Sequence, residues 1–212
     1  MDKTENPAAE KTTGVLICIV GPSGAGKTTL SNRVAEKFNI AAGYESHDER
    51  PFQKAFDENK ALAFHNQTDY LIYRAEQERN LRTWHDSSII DGGLDMDFYG
   101  FVKLFRKHGW LNEKEYSVLR RLYMNFRICL PEPDLVIYIH AEQKVIAERL
   151  SGRKRINIAS SEDSAFLKKA LEEWILSLSK DKVVKLDVSG SSADYSEEIE
   201  ILTPYILELL NR

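Results

Sequence analysis

With 212 residues, 42% of them hydrophobic, the chain can bury one sizeable core, and a single domain is expected. A nearly balanced net charge of −4 excludes a dedicated nucleic-acid binder, because no basic excess is present to neutralise a phosphate backbone. No run of about 18 apolar residues occurs and the polar start lacks the apolar core of a secretory signal, so no membrane partner is expected. The organisation read from this is a soluble cytoplasmic protein with a disordered tail over 1–13 and one domain over 14–212.

Residues 15–20, VLICIV, are β-branched and apolar, as a buried parallel strand requires. They run into GPSGAGKT, a complete P-loop in which Gly21 and Gly26 bracket four residues and Lys27 and Thr28 follow. Its glycines let the backbone wrap phosphate oxygens with successive N–H groups turned inward, and the next helix adds the partial positive charge of its N-terminus. Gly21, Ser23, Gly24, Ala25, Gly26, Lys27, Thr28 and Thr29 are therefore the nucleotide-binding candidates. Lys27 is placed to reach the β- and γ-phosphates of ATP, and the Thr28 hydroxyl to ligate Mg²⁺.

Helical spacing over 28–38 gives way to a short strand over 40–44 that ends on Glu45, and Pro51 suits the first turn of a new helix. Residues 61–84 read as one long helix on which Gln67 and Arg74, two turns apart, emerge on one face. A strand over 87–90 delivers Asp91 at its end, followed by Gly92 and Gly93. Helices over 94–108 and 112–128 come next, the second capped by Asn112, then a strand over 135–139 and a helix over 141–150. The basic turn SGRKR opens a segment read as a lid over 149–161. A helix over 161–178, a strand over 183–188 and a final amphipathic helix kinked near Pro204 complete the chain. Strands alternating with helices predict an α/β fold with a doubly wound parallel sheet, whose ligands sit at the carboxyl ends of the strands, where the P-loop, Glu45 and Asp91 all fall. Cys18 and Cys129 read as two buried thiols, and the five histidines form no cluster with metal-ligand spacing. Trp110, Tyr116, Leu119 and Tyr123 read as core or as a dimer interface.

From Gly21 to about Trp174 these motifs resemble the deoxynucleoside kinases, a group of P-loop kinases. Glu45 with the later Arg50-Pro51 is similar to that family's Glu after the second strand, followed by Asn-Pro. Gln67 and Arg74 keep the separation of its Gln and Arg, and Asp97, six residues past Asp91, falls on its base-contacting Asp. Arg149, Arg153 and Arg155 match its R-x-x-x-R-x-R lid. The resemblance implies a five-stranded parallel sheet, a homodimer, and transfer of the γ-phosphoryl of ATP to a nucleoside 5′-hydroxyl. It also implies Glu45 as the general base, Lys27 and the three lid arginines as catalytic cations, Thr28 and Asp91 as holders of Mg²⁺, and Gln67, Arg74, Asp97 and Phe56 lining the acceptor. The pattern departs in three places. Gly92 stands where the family has the arginine of Asp/Glu-Arg-Ser, Phe56 where it has a tyrosine for the sugar 3′-hydroxyl, and Ile158 near its lid glutamate, with Glu162 close by. Two other readings stay open: a thymidylate-type monophosphate kinase, whose Asp-Arg-Tyr or Asp-Arg-His motif is absent at Asp91, and a nucleotide-binding protein that has lost transfer.

Overall fold

The computed structural model describes residues 14–43, 50–151 and 161–211, and the side chains of residues 161 and 162 fall outside it. Five parallel strands, β1 (Val15–Val20), β2 (Ala41–Gly43), β3 (Ser87–Asp91), β4 (Leu135–His140) and β5 (Val183–Asp187), form one sheet in the order β2-β3-β1-β4-β5. β1 is the middle strand; the chain crosses to the β2 edge, returns to β3 beside β1, and then passes to β4 and the β5 edge on the other side, so the order reverses beside β1. A parallel sheet opens its ligand crevice at such a point, outside the strands' carboxyl ends.

Successive residues of β1 go to opposite faces, and each face has its own core. Ile17 and Ile19 pack with Ile89, Ile137 and Ile139 under α1 (Lys27–Phe38) and α9 (Ser196–Leu210). Leu16, Cys18 and Val20 pack with Ile90, Val136 and Tyr138 against Leu81 of α3 (Ala63–Trp84) and Trp174 of α8 (Ser161–Ser177). A third cluster lies among the helices, centred on Phe56, Leu71, Phe98, Phe105 and Leu119. It joins α3 to α2 (Gln53–Glu58) and to α6 (Glu113–Cys129), whose N-terminus is closed by a capping box between Asn112 and Glu115. Trp110, Tyr116, Leu119 and Tyr123 belong to this cluster.

Some elements depart from the expected outline. The helix expected over 94–108 is three pieces: α4 (Gly93–Met96), a π-helical turn (Asp97–Val102) and α5 (Lys103–Lys107). Gly100 in this turn faces Leu167 and Leu171 of α8. The helix after β4 is α7 (Gln143–Ser151), and α9 runs unbroken through Pro204. Cys18 is buried as expected, but Cys129 is exposed, because it falls on the outer face of the last turn of α6. No helix among the described residues is long and apolar enough to cross a membrane.

Candidate active site

The P-loop crosses from the end of β1 to the start of α1, and contacts from behind set its path. Gly26 adopts φ 103° and precedes Lys27, the first residue of α1. A Cβ there would lie 1.9 Å from the Tyr195 hydroxyl, so both conformation and space demand glycine. Ala25 beside it is fully buried, and its carbonyl accepts hydrogen bonds from Arg149 Nη1 at 2.8 Å and from the Tyr195 hydroxyl at 3.4 Å. Lys27 is half-buried and folds over the loop, donating to the carbonyls of Gly21 at 3.0 Å and Pro22 at 3.1 Å. These carbonyls hold the ammonium at the mouth of the loop, from which it can exchange to phosphate oxygens. Ser23 is half-buried, Gly24 is buried and Thr29 is exposed.

Asp91 closes β3 level with Ile19 of β1. The Thr28 hydroxyl donates to its Oδ2 at 2.5 Å, bringing together two hard oxygen donors at the strand ends. Such a pair suits Mg²⁺, which is usually held by one or two carboxylates and completed by phosphate oxygens and water. No cluster of three His, Cys, Asp or Glu residues that could hold a metal ion occurs among the described residues.

The chain turns sharply after Asp91. Gly92 has φ 89°, its N–H donates to the Ile19 carbonyl at 2.9 Å, and its own carbonyl accepts from the Cys18 thiol at 2.8 Å. Burial pushes the pKa of that thiol well above its ordinary value, so it stays protonated and able to donate. A Cβ on Gly92 would stand 3.3 Å from Arg74 Nη2. A side chain at Gly92 would thus need a strained backbone and would press on the Arg74 guanidinium.

Arg74 is buried, and its Nε donates to Asp97 Oδ2 at 2.8 Å. Its Nη1 donates to Gln77 Oε1 at 3.0 Å and to the Asp91 carbonyl at 3.3 Å. Arg74 and Asp97, both singled out in the sequence, thus form a buried ion pair tied to the Asp91 turn. Gln77, three residues along α3, was missed as a partner, although its i,i+3 spacing makes it a natural one. Gln67 is buried on the same face, and its Oε1 has no hydrogen-bond partner among the described residues. Neither has either amide atom of the fully buried Asn66. Orphaned buried amides of this kind call for a polar ligand or an explanation.

Phe56 is buried, stacked on Phe105 with centroids 4.7 Å apart and edge-on to Trp110, so its ring is held by core packing. Arg149 does reach the P-loop, but through backbone: besides Ala25 it donates to the Val188 carbonyl at 3.2 Å. Glu45, Arg153, Arg155 and Ile158 lie outside the described residues, as does the Glu162 side chain.

Behind the acceptor face lies a network the sequence did not reveal. Arg127 makes two bidentate pairs, with Glu78 at 2.8 and 2.9 Å and with Asp95 at 3.0 and 2.7 Å. Tyr123 donates to Asp95 at 2.6 Å and stacks on Phe98. Burial raises the pKa of the Glu78 carboxyl despite Arg127, and burial with the nearby Asp95 charge raises that of the Tyr123 phenol. One guanidinium thereby joins α3, α4 and α6 next to the turn that carries Asp97.

Comparison with known proteins identifies the group. The model of the family described as deoxynucleoside kinase matches residues 17–209. The chain belongs to the deoxynucleoside kinase family. Within it, the chain is 23% identical to a deoxyguanosine kinase of Bacillus subtilis over 208 residues, covering 93% of this chain and 99% of that protein. It is also 23% identical to a deoxyadenosine/deoxycytidine kinase of the same organism over 178 residues, 82% of each chain. A solved deoxyadenosine kinase from M. mycoides, with products dCMP and a flexible dCDP bound, has the same fold at TM-score 0.75 and 24% identity, over 92% of this chain and all of that one. As a deoxynucleoside kinase, the chain is a phosphotransferase with an alcohol group as acceptor and a nucleotide as phosphate donor.

Proposed function

We propose that this member of the family transfers the γ-phosphoryl group of ATP to the 5′-hydroxyl of a deoxynucleoside, with Mg²⁺ held by Thr28 and Asp91. The observation that carries the reading is the position of Asp91. Its carboxylate accepts from Thr28 of the P-loop while its carbonyl accepts from Arg74, so one residue joins the phosphate end to the acceptor end. Bound Mg²⁺ would neutralise phosphate charge and orient the donor. Lys27 exchanges its loop carbonyls for phosphate oxygens, and Arg153 and Arg155 add positive charge to the transferring group. Glu45 takes the proton of the attacking hydroxyl. Gln67 offers an amide to the base edge, and Asp97, held by Arg74, offers a carboxylate to its exocyclic groups.

The acceptor is deoxyadenosine, deoxyguanosine or deoxycytidine, as the names of the similar kinases suggest. The test is turnover with ATP and Mg²⁺ across the four deoxynucleosides and their monophosphates. Phosphorylation of at least one nucleoside is expected, with a fall of about a hundredfold or more in kcat for Glu45→Gln. Transfer to monophosphates alone would instead favour the thymidylate-type reading. The enzyme is proposed to be a cytoplasmic homodimer. Ile72 on α3 and Val118, Met124 and Ile128 on α6 are exposed, an apolar surface suited to a second copy.

A further inference from the structure

The rear of the P-loop carries an arrangement that motif and family do not account for. Ala25 is buried, and its carbonyl receives two donors from parts of the chain 124 and 170 residues away. One is Arg149 of α7, whose other terminal nitrogen holds the Val188 carbonyl just past β5. The second is Tyr195, itself buried, with φ 56° at the N-cap position just before α9. Its N–H bonds back to the Ser192 carbonyl and its own carbonyl accepts from Ile199, so the ring is fixed by the turn between β5 and α9. Its hydroxyl stands where a Gly26 side chain would begin, and Arg149 Nη1 lies 3.6 Å from the same point.

The carbonyl of Ala25 and the N–H of Gly26 belong to one peptide group. In a planar trans peptide they point in opposite directions, and no peptide among the described residues is cis. Drawing the carbonyl backward therefore aims the Gly26 N–H forward, into the concave side of the loop. A cation on the carbonyl also polarises the peptide and strengthens its N–H as a donor. We propose that Arg149 and Tyr195 are positioning residues that hold the Ala25–Gly26 peptide in its phosphate-binding orientation, and so set affinity for the phosphate donor. Arg149 then acts through the loop and not on the transferring phosphoryl group. This rests on the P-loop binding a nucleotide, as proposed above, but on no choice of acceptor.

The test compares Tyr195→Phe, which removes only the hydroxyl, with Arg149→Met and the double variant. Donor KM, acceptor KM, kcat and thermal unfolding are measured, together with equilibrium binding of ATP alone. Each single change is expected to weaken donor KM and ATP binding about three- to tenfold, the worth of one hydrogen bond. The acceptor KM stays unchanged and kcat stays within about twofold, as for a loss of uniform binding. The double variant is expected to lose more than the product of the two, because either donor alone still holds the carbonyl. Unchanged ATP binding in the double variant would overturn the proposal. So would a fall in kcat with donor KM intact in Arg149→Met, which would put that guanidinium on the reacting group. Tyr195→Phe keeps the ring and its packing, so the proposal stays open to refutation even if Arg149→Met fails to fold. ATP binding needs no acceptor, so absence of transfer to any nucleoside by the wild-type enzyme would sink the acceptor reading alone.

Discussion

The phosphate side of the site is built from consecutive residues, Gly21 to Thr28, whereas the acceptor side is gathered from α3, the Asp91 turn and the π-helical turn that begins at Asp97. In the loop, the groups proposed to bind phosphate are backbone amides and one lysine, and almost none of the core depends on the side chains among them. On the acceptor side, Gln67, Arg74 and Asp97 are buried, and the helices carrying them are joined by the Glu78–Arg127–Asp95 network. The difference teaches where function and stability separate. Loop side chains can be removed with the fold intact, whereas the residues proposed to bind the acceptor also hold helices together.

Removing the lysine sharpens this contrast most. Lys27→Ala is expected to lower kcat by about three orders of magnitude, as loss of a charge-stabilising donor does. Its unfolding free energy should stay within about 0.5 kcal/mol of wild type. A large drop in stability on chemical denaturation would break the distinction.

The opposite pattern is expected from Arg127→Met. Two buried carboxylates lose their shared partner, and stability should fall by about 3–5 kcal/mol. Burial already raises the Glu78 pKa, and losing the cation raises it further. A carboxyl whose folded pKa is raised contributes stability below its unfolded pKa, and that contribution is lost as pH rises through the folded value. Urea unfolding should therefore show the variant nearest wild type at about pH 5 and furthest from it at about pH 8. The reverse order would mean that Glu78, which keeps only Arg82 at 3.7 Å as a cation among the described residues, is not the carboxyl that responds.

Arg74→Lys probes a residue on the acceptor side that serves both ends. It keeps the charge but cannot reach Asp97, Gln77 and the Asp91 carbonyl together. Acceptor KM should rise about tenfold while donor KM holds. Equal changes in both, from steady-state kinetics, would show that the Asp91 turn itself had moved.

The smallest effect concerns the thiols. Cys129 is exposed, while Cys18 is buried with its pKa raised, so native protein should titrate one thiol per chain with a thiolate-specific reagent near pH 8, and both once unfolded. Two reactive thiols in the native state would mean that the Cys18–Gly92 contact opens readily.

Features set by local spacing were legible in the chain itself. The strand–loop–helix of the P-loop follows from an apolar β-branched run meeting glycines that only one kind of turn uses well, and the alternation of strands with helices leaves few sheet arrangements besides a parallel one. The two-turn separation of Gln67 and Arg74 put both on one face before any contact was known. What tertiary structure decided are the pairings between residues far apart in sequence. Nothing near Arg127 announces Glu78 and Asp95, which are 49 and 32 residues away. The buried charges of α3 also mask the apolar periodicity by which a packed face is normally read. Cys129 was misjudged because an apolar neighbourhood in sequence is no guide to which side of a helix's last turn meets solvent. The missing arginine at Gly92 becomes intelligible only in space, where a positive φ would strain any side chain and the Arg74 guanidinium stands 3.3 Å from where its Cβ would lie. Tyr195 is the furthest case. Its place behind Gly26 depends on closure of the whole sheet, which brings the turn after β5 to the loop after β1 although 170 residues separate Tyr195 from Ala25.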